Sequence, residues 1–122
     1  MLDHVTIGVT DLERAMAFYD AALRPLGIAR LYAEGEAFAG YGSGGKACFW
    51  IGRRHEVTTG VHVAFAAADR PAVDAFYEAA LASGGRDNGA PGLRPRYHPH
   101  YYGAFVLDFD GHNIEAVCRA AG

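Results

Sequence analysis

HVTIGVTDLERAMAFYDAALRPLG, from His4 to Gly27, returns 58 residues later as HVAFAAADRPAVDAFYEAALASGG, from His62 to Gly85. Ten of the 24 pairs are identical without a gap, among them His4/His62, Asp11/Asp69, Phe18/Phe76, Tyr19/Tyr77 and Gly27/Gly85. Agreement at one fixed offset marks the halves as copies of one structural unit. Each copy opens with a period of two, which predicts a strand. Val5, Ile7 and Val9 share one face and His4, Thr6 and Gly8 the other; Val61, Val63 and Phe65 likewise oppose His62, Ala64 and Ala66. Asp11 and Asp69 then offer N-cap carboxylates ahead of apolar stripes at helical spacing. Leu12, Ala15, Tyr19 and Leu23 form the first stripe, and Val73, Phe76 and Ala80 the second. Pro71 is tolerated in a first turn, and Gly27 and Gly84-Gly85 supply the stops.

Beyond each helix the pattern predicts short strands. They fall at 28–33, 36–41 and 46–51 in the first copy, with Ser43-Gly44-Gly45 as a turn. In the second copy they fall soon after Gly85, at Tyr102–Leu107 and at 112–118, the last two joined around Asp110-Gly111. Aligning Phe38 with Phe105 and Gly44 with Gly111 raises the offset to 67, so nine extra residues are expected within 86–103. The expectation is an α+β fold: a single domain, 1–122, of two βαβββ modules (about 1–57 and 58–122). They form a curved mixed sheet with its helices on the outer face. One helix covers only one face of each module's sheet, so the opposite face must find a partner or line a cavity.

Composition narrows the function. The 122 residues are 51 % hydrophobic and 20 % charged, with a net charge of −3, near the globular average. That balance argues against nucleic-acid or anionic-membrane partners, which need a concentrated basic face. No apolar run approaches a membrane span, and no basic stretch leads into one near Met1. Cys48 and Cys118 form no C-x-x-C and no disulfide framework. The cytoplasm is the expected location. Gly40-Tyr41-Gly42-Ser43-Gly44-Gly45 lacks the strand-to-helix setting of a dinucleotide fingerprint.

The strand period places the chemistry. With Val5, Ile7 and Val9 against the helix, His4 and His62 project from the uncovered face beside small neighbours. In the closing strand Ile114, Ala116 and Cys118 suit the helix side, which leaves Asn113, Glu115 and Val117 opposite. Two imidazoles and a carboxylate on one face are a donor set for Fe²⁺, Mn²⁺, Ni²⁺ or Zn²⁺, with positions left open for substrate. The expected metal ligands are therefore His4, His62 and Glu115. Cys48, the counterpart of Glu115 at the offset of 67 and a face-mate of Lys46 and Trp50, is a candidate fourth.

These features resemble the vicinal oxygen chelate superfamily, which groups glyoxalase I, extradiol dioxygenases, and fosfomycin- and bleomycin-resistance proteins. The resemblance rests on two βαβββ modules, the opening D-H-V at Asp3, the second H-V at His62 and the closing D-G-H-N-I-E-A-V from Asp110. It covers essentially the whole chain. It implies a glyoxalase-like fold, a divalent metal on His4, His62 and Glu115, and a homodimer whose site draws on strands of both chains. Glyoxalase I has a carboxylate where this alignment puts Cys48. The His, His, Glu set matches the dioxygenase triad better, although those enzymes are usually longer. The implied activity is metal-dependent lyase, isomerase or extradiol-type dioxygenase chemistry on vicinal oxygens of a small substrate. The alternative is a metal-free binding protein of the bleomycin-resistance type, with Trp50 and tyrosines stacking on an aromatic or cationic ligand.

The segment 86–103, RDNGAPGLRPRYHPHYYG, reads as a wall or lid over the metal. Arg94 or Arg96 would meet an anionic substrate group. His98, His100 or Tyr102 would act as acid, base or hydrogen-bond donor. His98-Pro99-His100 is also a candidate metal pair, while His55 and His112, beside turns, read as exposed and silent.

Overall fold

The computed structural model describes residues 1–54, 57 and 59–122, so His55 lies outside the described residues. The first module comprises β1 (Val5–Val9), α1 (Leu12–Leu23), a 3-10 turn (Arg24–Leu26), β2 (Ala29–Glu34), β3 (Phe38–Ser43) and β4 (Lys46–Arg53). The second comprises β5 (His62–Ala66), α2 (Arg70–Ala82), β6 (Arg86–Leu93), β7 (Tyr102–Leu107) and β8 (Asn113–Cys118). The sheet orders are β1-β4-β3-β2 and β5-β8-β7-β6. In each, the first strand runs parallel to the last and the remaining pairs are antiparallel. Both modules are thus βαβββ units with mixed four-stranded sheets.

The helices start where the sequence supplies a cap. The Asp11 carboxylate accepts from Arg14 N–H at 3.1 Å and that of Asp69 from Ala72 N–H at 2.9 Å. After the 3-10 turn, Gly27 takes a left-handed φ of 76° and returns its N–H to the Arg24 carbonyl. α1 and α2 pack together, and the core lies between them and the inner faces of the sheets. Phe18, Tyr19, Leu23, Phe49, Ile51, Val73, Phe76 and Ile114 are fully buried there. Each such side chain contributes about 1.5–3 kcal/mol of hydrophobic stabilisation. The helices therefore claim the inner face of the central strands, while β2 is exposed throughout, and leave the other face uncovered.

A polar junction fixes one module on the other. Asp108 is 3 % exposed. Its carboxylate accepts from the Tyr19 hydroxyl at 2.5 Å and from the backbone N–H groups of Asp110 and His112 at 2.9 Å. Asp110 accepts from the Thr10 hydroxyl at 2.8 Å, and His112 Nε2 donates to the Gly8 carbonyl at 3.0 Å. His112, expected to be exposed beside its turn, is instead fully buried. The tight Asp110-Gly111 turn folds it inward, where it ties β8 to β1 in place of a ladder.

The strand register corrects the internal alignment. Trp50 lies opposite Thr6 and Gly40, as Glu115 lies opposite Ala64 and Phe105. The structural offset beyond the helices is thus 65 rather than 67, and the second module carries seven extra residues rather than nine. Sequence identity at Phe38 and Gly44 favoured a pairing that hydrogen-bond geometry does not adopt. Within 86–103 the first eight residues form the strand β6, which leaves 94–101 as the connection to β7.

Candidate functional site

Glu115 lies midway along β8 on the face that no helix covers, yet it is only 1 % exposed. Its Oε1 lies 2.8 Å from His62 Nε2, and its Oε2 accepts a short hydrogen bond from the Tyr101 hydroxyl. Gly103 makes this possible, because a Cβ there would lie 3.1 Å from the Tyr101 ring and 3.2 Å from Glu115 Oε2. Tyr97 packs edge-on against Tyr101 at 5.2 Å, and the Arg119 guanidinium lies 5.0 Å from its ring centre. With His62 and Phe105, these residues surround a cleft of about 360 Å³.

The electrostatics suit a fixed carboxylate. Burial, and then the Glu115 carboxylate beside it, push the Tyr101 hydroxyl up to about 12. Tyr101 therefore remains a donor through the neutral range and holds Oε2 still. His62 is half exposed and lines the cleft with Glu115, its Nε2 set against Glu115 Oε1.

His4 stands elsewhere. It is exposed just ahead of β1, its Nδ1 lies 2.8 Å from Asp3 Oδ1, and Lys46 Nζ meets the same oxygen at 2.8 Å. Those two contacts, Lys46 first, hold the Asp3 carboxyl below its usual range. His4 lines a separate cleft of about 420 Å³ with Thr6, Phe38, Trp50 and Arg54. Of the three expected ligands, one chain brings His62 and Glu115 together. Among the described residues no group of three His, Cys, Asp or Glu side chains converges as a metal site. Cys48 is exposed on β4, and the corrected register gives the position of Glu115 in the first module to Trp50. The alignment that made Cys48 a candidate ligand is thereby removed.

The 94–101 connection distributes its residues differently from expectation. Arg94 is held by the Ala90 carbonyl at 2.8 Å, and Arg96 by the Tyr97 hydroxyl at 3.0 Å. His98 Nδ1 accepts the His100 N–H at 3.0 Å, and the two rings lie 5.8 Å apart. Tyr102 faces α2, donating to Asp74 at 2.6 Å beneath Arg70. Tyr101, Tyr97 and Arg119 hold the cleft instead, and sequence reasoning missed all three. A signal for Tyr101 was present: Gly103 and Phe105 share the face of Glu115, and counting back by two reaches Tyr101.

Comparison with known proteins agrees with this architecture. A family model described as the Glyoxalase/Bleomycin resistance protein/Dioxygenase superfamily matches residues 1–116. A glyoxalase/bleomycin resistance protein from Albidiferax ferrireducens is 34 % identical, with a TM-score of 0.82 over 96 % of this chain and 97 % of its own. Two further solved structures share the fold at 20 % identity. A glyoxalase/bleomycin resistance protein/dioxygenase family enzyme from Burkholderia phytofirmans has a TM-score of 0.74 over 97 % of this chain and 98 % of its own. A genomically encoded fosfomycin resistance protein from Listeria monocytogenes has a TM-score of 0.73 over 98 % and 93 %. No curated protein matches the chain in sequence. Among the described residues no helix is long and apolar enough to cross a membrane. With its two βαβββ modules and a match running almost end to end, the chain belongs to the glyoxalase/bleomycin resistance protein/dioxygenase superfamily.

Proposed function

We propose that the protein is a metal-dependent enzyme acting on a small molecule that carries neighbouring oxygens. The reading rests on Glu115, a buried carboxylate on a helix-free face whose Oε1 lies 2.8 Å from His62 Nε2. One imidazole nitrogen and one carboxylate oxygen suit Fe²⁺, Mn²⁺, Ni²⁺ or Zn²⁺. His62 and Glu115 would hold the cation, and His4 from a second copy would complete the set in a homodimer. The separation of His4 from the pair within one chain supports that division. When bound, the metal supplies Lewis acidity toward two substrate oxygens, which serves lyase, isomerase or ring-opening dioxygenase chemistry.

The chain's own groups do the rest. Tyr101 fixes Glu115 Oε2, which leaves Oε1 as the oxygen that meets His62 Nε2. Phe105, with its ring centre 6.1 Å from that of His62, excludes water from one side. Arg119, over the face of Tyr101, keeps positive charge close to where an oxyanion would develop. The cytoplasm is the proposed compartment, in keeping with two unpaired cysteines.

Elemental analysis of untagged protein, with His62→Ala and Glu115→Gln as controls, tests the reading. Sedimentation analysis run alongside it tests the dimer. Near-stoichiometric transition metal that both substitutions abolish is the expected result. Less than about a tenth of an equivalent, with no uptake on addition, would overturn it.

The metal-free alternative keeps one observation in its favour. Tyr32, Phe38 and Trp50 form a contiguous aromatic surface on the uncovered face of the first sheet.

A further inference from the structure

The uncovered face of the first sheet is aromatic on one side and cationic on the other. Gly40 lets the Trp50 ring lie flat on β3, since a Cβ there would come within 2.7 Å of that ring. Phe38 meets Trp50 edge-on at 5.8 Å, and Tyr32 stacks on Phe38 at 5.9 Å. Across the cleft, Arg54 lies over Gly8, its Cγ within 2.9 Å of where a Cβ would stand. The two walls flank one glycine: Arg54 Nε and the Phe38 Cβ lie 3.8 and 4.0 Å from the position a Gly52 Cβ would take. Between them lies the cleft of about 420 Å³, whose lining also includes Thr6 and His4.

Charge decides the occupant. An aromatic platform alone serves cations and neutral rings equally well. Among the described residues, Arg53 and Arg54 both line the cleft and no carboxylate does. Arg53 is engaged by Glu36 at 3.7 Å, whereas Arg54 makes no ion pair among the described residues. A cationic ligand would face two guanidinium groups, so the sign of the site is positive. A planar fork of donors beside an aromatic wall suits a carboxylate held in the plane of a conjugated ring.

We infer that this cleft binds an aromatic carboxylate, its ring against Trp50 and Phe38 and its carboxylate on Arg54. The inference deepens the proposed function, resting on it for placing the ligand beside a metal-binding His4. The binding it asserts needs no metal. The substrate class of the enzyme is then aromatic acids, with the ring's oxygen-bearing edge directed toward His4.

Trp50 is the chain's one tryptophan, so its fluorescence reports the cleft directly. Purified protein treated with chelator is titrated with benzoate, benzylamine and cyclohexanecarboxylate. Saturable quenching by benzoate is expected with half-saturation at about 1 mM or below, and at least tenfold weaker for the other two. Arg54→Gln should weaken benzoate about tenfold, and Arg54→Lys should recover part of that loss. Tyr77→Phe should leave the titration unchanged, because that hydroxyl donates to Asp87 in the second module and lines neither cleft. Absence of saturable quenching, an equal response to benzylamine, or indifference to Arg54→Gln would each overturn the inference. Because the titration is run without metal, its failure is distinct from a failure of the elemental analysis.

Discussion

The Tyr101 hydroxyl donates to Oε2 of Glu115, and this bond seals a carboxylate on the one face of its sheet that no helix covers. Glu115 is buried by its own neighbours rather than by the core. His62 meets its Oε1, and its Oε2 is held by a phenol supplied by the connection between β6 and β7.

Removing that phenol leaves Oε2 buried without a donor. Tyr101→Phe preserves the ring packing on Tyr97 and deletes only the hydroxyl. A loss of about 1–3 kcal/mol is expected, the desolvation cost of an unpaired buried acceptor. Urea unfolding at neutral pH measures it, and the denaturant slope should not change.

The same bond sets an alkaline limit. The folded-state value of about 12 for Tyr101 lies above the ordinary 10.0, so the protonated form is favoured by folding. Its contribution to stability is complete below about pH 10 and disappears as pH rises through about 12. Phenolate absorbance should show a component titrating near 12 that is missing in Tyr101→Phe. The melting temperature of the variant should fall less steeply across that window. Burial raises Tyr19 and Tyr41 as well, so the comparison must be made between wild type and variant.

Period-two alternation identified the faces of β1, β5 and β8, which put His62 and Glu115 on one surface without any knowledge of the third dimension. It worked because the helix layer buries one face of β1, β5 and β8. The chain failed to disclose what depended on register between strands. Phe38 and Phe105 look equivalent as letters, but the ladder pairs Gly40 with Trp50 and Phe105 with Glu115, which displaces Cys48 from the carboxylate's place. Tyr101 was passed over for Tyr102 because the start of β7 falls among consecutive tyrosines, where no apolar alternation distinguishes inside from outside. His112 looked like a turn residue because its burial comes from the Gly8 carbonyl of the other module, a partner 104 residues away.

That distant junction is itself testable. Asp108 satisfies the Tyr19 hydroxyl and two backbone donors in a buried position. Asp108→Ala removes all three acceptor contacts and leaves the Tyr19 hydroxyl without a partner inside the core. A loss of about 3 kcal/mol or more is expected. Asp108→Asn retains an acceptor oxygen and should cost less. If the alanine variant unfolds at the same urea concentration as wild type, the junction does not hold the modules together.

Two glycines in the aromatic cleft should respond oppositely to the same added methyl. At Gly40 a Cβ would press into the Trp50 ring at 2.7 Å, and the ring rests on strand backbone with nowhere to retreat but outward. Gly40→Ala should therefore cost about 1–3 kcal/mol by overpacking and shift Trp50 emission to the red as the ring lifts into water. At Gly52 the nearest atoms to a Cβ stand at 3.8 Å, ordinary contact distance. Gly52→Ala should leave stability within about 0.5 kcal/mol of wild type, as the added methyl is accommodated and strand glycines carry excess chain entropy. That methyl would nevertheless stand between Arg54 and Phe38, so benzoate quenching of Trp50 should weaken in a fully stable protein. No stability loss at Gly40 would show that the Trp50 ring does not lie flat on β3, and a loss at Gly52 would show that its surroundings are tighter than ordinary contact.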